Sequence, residues 1–150
     1  MPQSLSKILI HVIFSTKDRH PFLTQEIRPE LHAYLATLAR NQNCECYRSN
    51  GVADHVHLAI GLSRTITIAD LIKHLKTESS KWLKPQDATL EKFAWQKGYG
   101  AFSLGMTQLP KLLTYIDHQE EHHKTTTFQE EYRIFLDKYN IEYDERYVWD

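Results

Sequence analysis

Only two cysteines occur in 150 residues, Cys44 and Cys46, with one residue between them. Neighbours that close on a strand share a face but cannot easily bond to each other. The thiols therefore read as free, and the fold must be held by its core. No apolar run approaches the roughly 20 residues that cross a bilayer, and the N-terminus lacks a basic segment followed by a long apolar stretch and a small-residue cleavage site. The chain reads as soluble and intracellular. Its net charge of −1 does not indicate a globally basic nucleic-acid binder. No internal repeat, low-complexity stretch or linker interrupts it, so residues 1–150 read as one domain with a substantial core.

Charge is unevenly spread. Residues 64–111 carry eight Lys or Arg against four acids, whereas residues 117–150 carry four against ten. The first stretch could face phosphates and the second is unsuited to it, although ordinary solvated faces explain both.

Residues 7–15 are β-branched and apolar on both faces, as a central strand requires. Thr24 opens a helix with Ile27, Leu31, Tyr34, Leu35 and Leu38 at helical spacing, ending at Asn41 to Asn43. Residues 44–50 and 55–62 read as strands joined near Asn50-Gly51, a strong hairpin signal. A second helix covers about 67–84, stopped by Pro85. A strand is expected over Phe93 to Leu104, then a helix from Pro110 to about His123, and a last helix capped by Thr126 or Thr127 that runs to about Tyr139. The order β-α-β-β-α-β predicts an α+β, ferredoxin-like split βαβ sheet, antiparallel, with helices on one face and a C-terminal helical extension.

Two features carry chemistry. In Asp54-His55-Val56-His57-Leu58 the alternation of a strand puts both imidazoles on one side, with only Ala59 and Gly61 after them, while Val56, Leu58, Ile60 and Leu62 face the core. The pair reads equally as half of a divalent-metal site or as a solvated strand face. In Tyr115-Ile116-Asp117-His118-Gln119 the phenol and the amide lie one helical turn apart. Taken alone, Tyr115 also fits a half-buried packing aromatic. His122 and His123 read as a solvated helix end rather than as ligands.

Together these residues resemble a known family, the single-tyrosine transposases of the insertion-sequence 200/605 type, within the His-hydrophobic-His (HUH) nuclease superfamily. The resemblance runs through Phe14-Ser15-Thr16-Lys17 with Arg19, Asp54-His55-Val56-His57-Leu58 and Trp95-Gln96-Lys97-Gly98-Tyr99-Gly100-Ala101-Phe102-Ser103. It continues through Tyr115-Ile116, Gln119-Glu120-Glu121-His122-His123-Lys124 and Phe128-Gln129-Glu130-Glu131-Tyr132.

The resemblance implies a DNA transposase in which His55, His57 and Gln119 bind Mg²⁺ or Mn²⁺ and Tyr115 attacks DNA to form a 5′-phosphotyrosine. It further implies a cytoplasmic bacterial or archaeal enzyme, associated with the nucleoid when on DNA. Its partners would be single-stranded DNA with a hairpin and a second copy of the chain, whose tyrosine helix can complete the metal site in trans. Lys97 and Tyr99, which share a strand face with Trp95, and the helix carrying Lys73 and Lys76 are candidate DNA contacts. Alternatives are a domesticated hairpin-DNA-binding relative that no longer mobilises its own element, and a metal-dependent hydrolase in which water attacks and Tyr115 is structural. The base that receives the phenol proton is not legible; His118, His122 and Lys124 are all near in sequence.

Overall fold

The computed structural model describes residues 2–150. Strand β1 is Leu9–Ser15, helix α1 Arg28–Asn41, β2 Glu45–Gly51, β3 His55–Gly61, α2 Ile68–Leu83 and β4 Gly100–Leu104. Helices α3 (Leu109–Asp117), α4 (Gln119–His122) and α5 (Phe128–Lys138) follow. The sheet order is β2-β3-β1-β4 with every pairing antiparallel, which is the expected ferredoxin-like arrangement. Among the described residues no helix is long and apolar enough to cross a membrane.

Strand alternation divides the protein into two layers. Val12 and Phe14 of β1 with Val56, Leu58 and Ile60 of β3 bury against Leu31, Leu35 and Leu38 of α1 and Leu71, Ile72 and Leu75 of α2. The expected C-terminal helical extension covers the other face. Ile13 and Phe102 pack under Phe128, Tyr132 and Leu136 of α5, and Leu9 and Ala59 under Leu109 and Ile116 of α3. A central strand that is apolar on both sides must be covered on both, and the C-terminal helices supply the second cover. Gly100 lets α5 come close: a Cβ there would lie 2.6 Å from the Tyr132 ring.

Several boundaries shift for identifiable reasons. The Asn50-Gly51 pair is not the hairpin turn; β2 runs through it, pairing Asn50 with His57 and Gly51 with Val56, and the chain reverses over residues 52–54. Gly51 is there because a Cβ would collide with the His55 carbonyl oxygen. Of the strand expected from Phe93, Trp95 forms an isolated antiparallel bridge with Thr16 and β4 begins at Gly100, because the residues around and between them are held otherwise. Phe93 and Trp95 turn into the α2-side core against Phe14, with the Trp95 indole N–H on Ser79 Oγ at 3.0 Å. The carbonyls of Gln96, Lys97 and Gly98 accept from Lys76 Nζ at 2.8, 3.3 and 2.6 Å, which occupies groups that a ladder would use. Helix α1 starts at Arg28 with Pro29 in its first turn, so Thr24 does not cap it. Thr67 and Thr127 do cap α2 and α5, accepting from the backbone N–H of Asp70 and Glu130. Cys44 and Cys46 are free, as expected.

His32 on α1 is 8% exposed and bonds Ser49 Oγ through Nδ1 at 2.7 Å, while its Nε2 has no partner. Burial, then the neighbouring His57 and Arg28, lowers its pKa to about 4. The unfolded chain binds a proton at this residue from about pH 6.5 downward and the folded one does not, so stability falls as pH drops from 6.5 to 4. The loss reaches about 3 kcal/mol at the lower end. Urea midpoints measured across that window check it: His32→Gln should flatten the slope relative to the parent protein.

Candidate active site and metal centre

Strand β3 places His55 and His57 on the face covered by α3 and α5, and both are fully buried rather than solvated. The register sets Ser15 opposite His55, Ile13 opposite His57 and His11 opposite Ala59, so His11 joins the same face. His11 Nε2 lies 2.8 Å from His57 Nδ1. On the far side of His55, Nδ1 meets Asp54 Oδ1 at 2.7 Å.

The helix expected to run from Pro110 to His123 is broken at His118, whose φ of −103° and ψ of 23° end α3 and let α4 start in a new direction. The break is well satisfied. Asn50 Nδ2 donates to the Ile116 carbonyl at 2.9 Å, His118 Nδ1 sits 2.7 Å from the Thr114 carbonyl, and Gln119 Nε2 donates to the Tyr115 carbonyl at 3.3 Å. Arg48 pairs with Asp117 at 2.9 Å. Gln119 is thereby turned inward and fully buried, with Oε1 at 3.4 Å from His55 Nε2 and 2.9 Å from His123 Nε2. Gln119, which the resemblance implies as a ligand, thus lies beside the imidazoles, brought there by a bend rather than by one continuous helix.

Two participants were missed. His123 is not a solvated helix end: its Nδ1 lies 2.6 Å from the Thr126 carbonyl and its Nε2 points at the cluster. Glu131 of α5 is 2% exposed, and its Oε1 lies 3.1 Å from His57 Nε2, 3.1 Å from His123 Nε2 and 3.4 Å from His55 Nε2. Its Oε2 accepts from the Tyr115 hydroxyl, which also has His122 Nε2 at 3.4 Å. The signal for Glu131 was a lone acid on the inner stripe of an otherwise amphipathic helix, three residues after Phe128 and one before Tyr132. Of the three residues weighed for the phenol proton, only His122 is in contact.

Electrostatics follow the geometry. Burial opposes protonation of His55, but hydrogen bonds to Asp54 and Glu131 and their charges outweigh it and push its pKa up to about 9. For His57 burial wins and holds it at about 4 despite Glu131. Burial also works against the Glu131 carboxylate, yet the three imidazoles keep it well below the usual range. Burial and the Glu131 charge push the Tyr115 phenol well above its ordinary value. Donor atoms from His55, His57, His123 and Glu131 all lie within 4.8 Å of one another, a set whose chemistry suits a divalent cation. Tyr115 itself is half-buried on the wall of a cleft of about 340 Å³ that Lys111, Lys138, His122 and Phe135 also line.

The candidate DNA contacts stand apart from this centre. Lys73 is exposed on α2, near Asp70 and Glu78, on the opposite side of the sheet. Lys97 and Tyr99 are exposed, but Lys76 is committed to three carbonyls and to the Phe14 ring, 5.1 Å away, and burial lowers its pKa to about 8. Trp95 is core.

A phenol set against a group of donors able to hold a cation is the combination that metal-assisted phosphoryl transfer with a covalent tyrosine step demands. A family profile described as "Transposase IS200 like" matches residues 4–119. The chain belongs to that family and is a DNA transposase. It is 26% identical over 119 residues to the transposases for insertion sequence element IS200 of Salmonella typhimurium and Salmonella typhi, over 76% of this chain and 78% of theirs. A 1.90 Å crystal structure of a protein from Deinococcus radiodurans R1 assigned as a transposase shares the fold at a TM-score of 0.61. Its identity is 24%, over 79% of this chain and 98% of that one. The structure of a REP-associated tyrosine transposase bound to a REP hairpin does so at a TM-score of 0.59. Its identity is 13%, over 82% of this chain and 73% of that one.

Lys76→Met removes a donor shared by three carbonyls and should destabilise the fold by roughly 1–3 kcal/mol. If the lysine is structural, the salt dependence of DNA binding by the folded variant stays that of the parent; a slope reduced by about one unit would mark a phosphate contact instead.

Proposed function

We propose that residues 1–150 act as one catalytic unit that cleaves and rejoins single-stranded DNA at hairpin-bearing element ends, with Tyr115 as nucleophile and His55, His57 and Gln119 among the ligands of a divalent ion. The observation that carries this reading is one shared carboxylate: Glu131 receives the Tyr115 hydroxyl on Oε2 and faces the imidazoles with Oε1. The hairpin substrate rests on the family resemblance and on the REP hairpin held by the structural relative.

Tyr115 Oη attacks the phosphorus of the scissile phosphodiester, and the bond from phosphorus to the 3′ oxygen breaks. The products are a 5′-phosphotyrosine and a free 3′-hydroxyl. The phenol proton leaves toward Glu131 Oε2, the acceptor already in place, and the departing 3′ oxygen takes up a proton. A divalent ion held by His55, His57 and Gln119 would polarise the phosphodiester and offset charge that builds in the transition state. Attack by another 3′-hydroxyl on the phosphotyrosine then frees Tyr115. One phosphodiester is broken and one is made, so no ATP is needed.

Incubation with end-labelled hairpin oligonucleotides and a divalent ion should give a protein–DNA band that survives denaturation. Tyr115→Phe should lose both the band and strand cleavage, by on the order of 10³-fold or more. Cleavage that persists without the band would make water the nucleophile.

Tyr115 meets the imidazoles of its own chain. A homodimer of such chains therefore has two sites, each complete within one copy. Mixing Tyr115→Phe with His57→Ala protein should restore no cleavage, because every site keeps one defect. Recovered activity would show that the tyrosine helices exchange between copies.

A further inference from the structure

We propose that the ion is held in a five-donor centre, His55 Nε2, His57 Nε2, His123 Nε2, Glu131 Oε1 and Gln119 Oε1, which selects a first-row transition ion such as Mn²⁺, Fe²⁺ or Co²⁺ over Mg²⁺. The inference rests on the function proposed above and deepens it. The resemblance accounts for two imidazoles and one amide; His123 and Glu131 lie beyond residues 4–119, the segment that matches the family profile.

Three independent hydrogen bonds aim the imidazoles. Nδ1 of His55 is on the Asp54 carboxylate at 2.7 Å, Nδ1 of His123 is on the Thr126 carbonyl at 2.6 Å, and Nδ1 of His57 is on His11 Nε2 at 2.8 Å. A carboxylate and a carbonyl only accept, so His55 and His123 carry a proton on Nδ1 and turn Nε2 inward, the nitrogen left to bind a metal. His11 does the same for His57 when it presents its own lone pair. This is the outer support that metal-ligating histidines use to fix tautomer and ring direction.

The inward atoms are then three imidazole nitrogens, a carboxylate oxygen and an amide oxygen, spaced 2.9 to 3.4 Å along their nearest contacts. Protons can hold this set together, and a divalent cation that displaced them would find the same five atoms converging on it. Spacings near 3 Å are those of ligands about 2.1 Å from one small ion. Mg²⁺ favours oxygen ligands and retains waters, whereas three imidazoles with two oxygens suit the later, more nitrogen-seeking ions. The carboxylate adds a formal negative charge that the two-histidine and amide set lacks.

Metal binding by chelator-stripped protein, read by calorimetry and by the visible spectrum of Co²⁺, tests this without DNA. Mn²⁺ and Co²⁺ should each bind at least about tenfold more tightly than Mg²⁺. His123→Ala and Glu131→Gln, each checked for folding by circular dichroism, should weaken Mn²⁺ by at least about tenfold, the lower end of what loss of even an outer partner does to a metal site. Equal affinity for Mg²⁺ and Mn²⁺ in the parent protein overturns the proposal even if neither variant folds. Weakening by His57→Ala but not by His123→Ala overturns it and leaves the two-histidine function standing. Failure of every ion to bind overturns both.

Discussion

Three imidazoles, a carboxylate and an amide meet in a space closed to water, and that convergence constrains the whole of one face of the sheet. Burying polar groups is tolerable only when each has a partner, and burying a charge only when it is paired. Each requirement is met from a different part of the chain. Asp54 in the turn before β3, His11 on β1 and the Thr126 carbonyl before α5 hold the outer nitrogens. Glu131 is charged and buried, so its partners must be cationic, whether by protons or by an ion. Removing one member leaves the others unpaired in a dry interior, so the cluster behaves as a unit.

The order of elements shows how such a cluster can be assembled without strain. The two histidines come from β3, which has a hydrogen-bonded strand on either side and is the least deformable part of the sheet. Everything that must be adjusted around them comes from later helices, separated by the break at His118 and the turn at residues 123–127. The break turns Gln119 inward, and the turn brings His123 under α5. Helix α5 then closes the face with Phe128, Tyr132 and Leu136 beside Glu131, so the same helix that seals the core delivers the charge. The Tyr115 cleft carries Lys111 and Lys138, whereas the lysines of α2 are on the other side of the sheet, one of them engaged in holding residues 96–98.

What the sequence could and could not tell divides along range. Strand alternation, local and strict, puts His55 and His57 on one face, and a four-residue spacing puts Tyr115 and Gln119 on one side of a helix; only the resemblance joins the two pairs. The ferredoxin-like order was legible from periodicity alone. Asn50-Gly51 misled because glycine there serves close contact across β2 and β3, a fact of tertiary approach that no dipeptide reports. The strand expected from Phe93 misled because Lys76, some twenty residues earlier, takes the carbonyls. Glu131 was quoted within Phe128-Gln129-Glu130-Glu131-Tyr132 yet given no role, since an acid on a helix is ordinarily solvated; only docking of α5 shows which side it faces. His123 was set aside for the same reason.

Under the function proposed above, the contact between Tyr115 and Glu131 links the nucleophile to the cation site through one carboxyl group. Burial and the neighbouring negative charge hold the phenol protonated, while the imidazoles hold the carboxylate ionised. Each tendency opposes transfer of the proton while the site faces only itself. A bound phosphodiester changes the balance, because Tyr115 then has phosphorus to attack, and positive charge drawn to the phosphate oxygens lowers the energy of a phenolate beside them. The resting hydrogen bond thus keeps Tyr115 on the wall of the cleft with its proton held until a phosphodiester is in place.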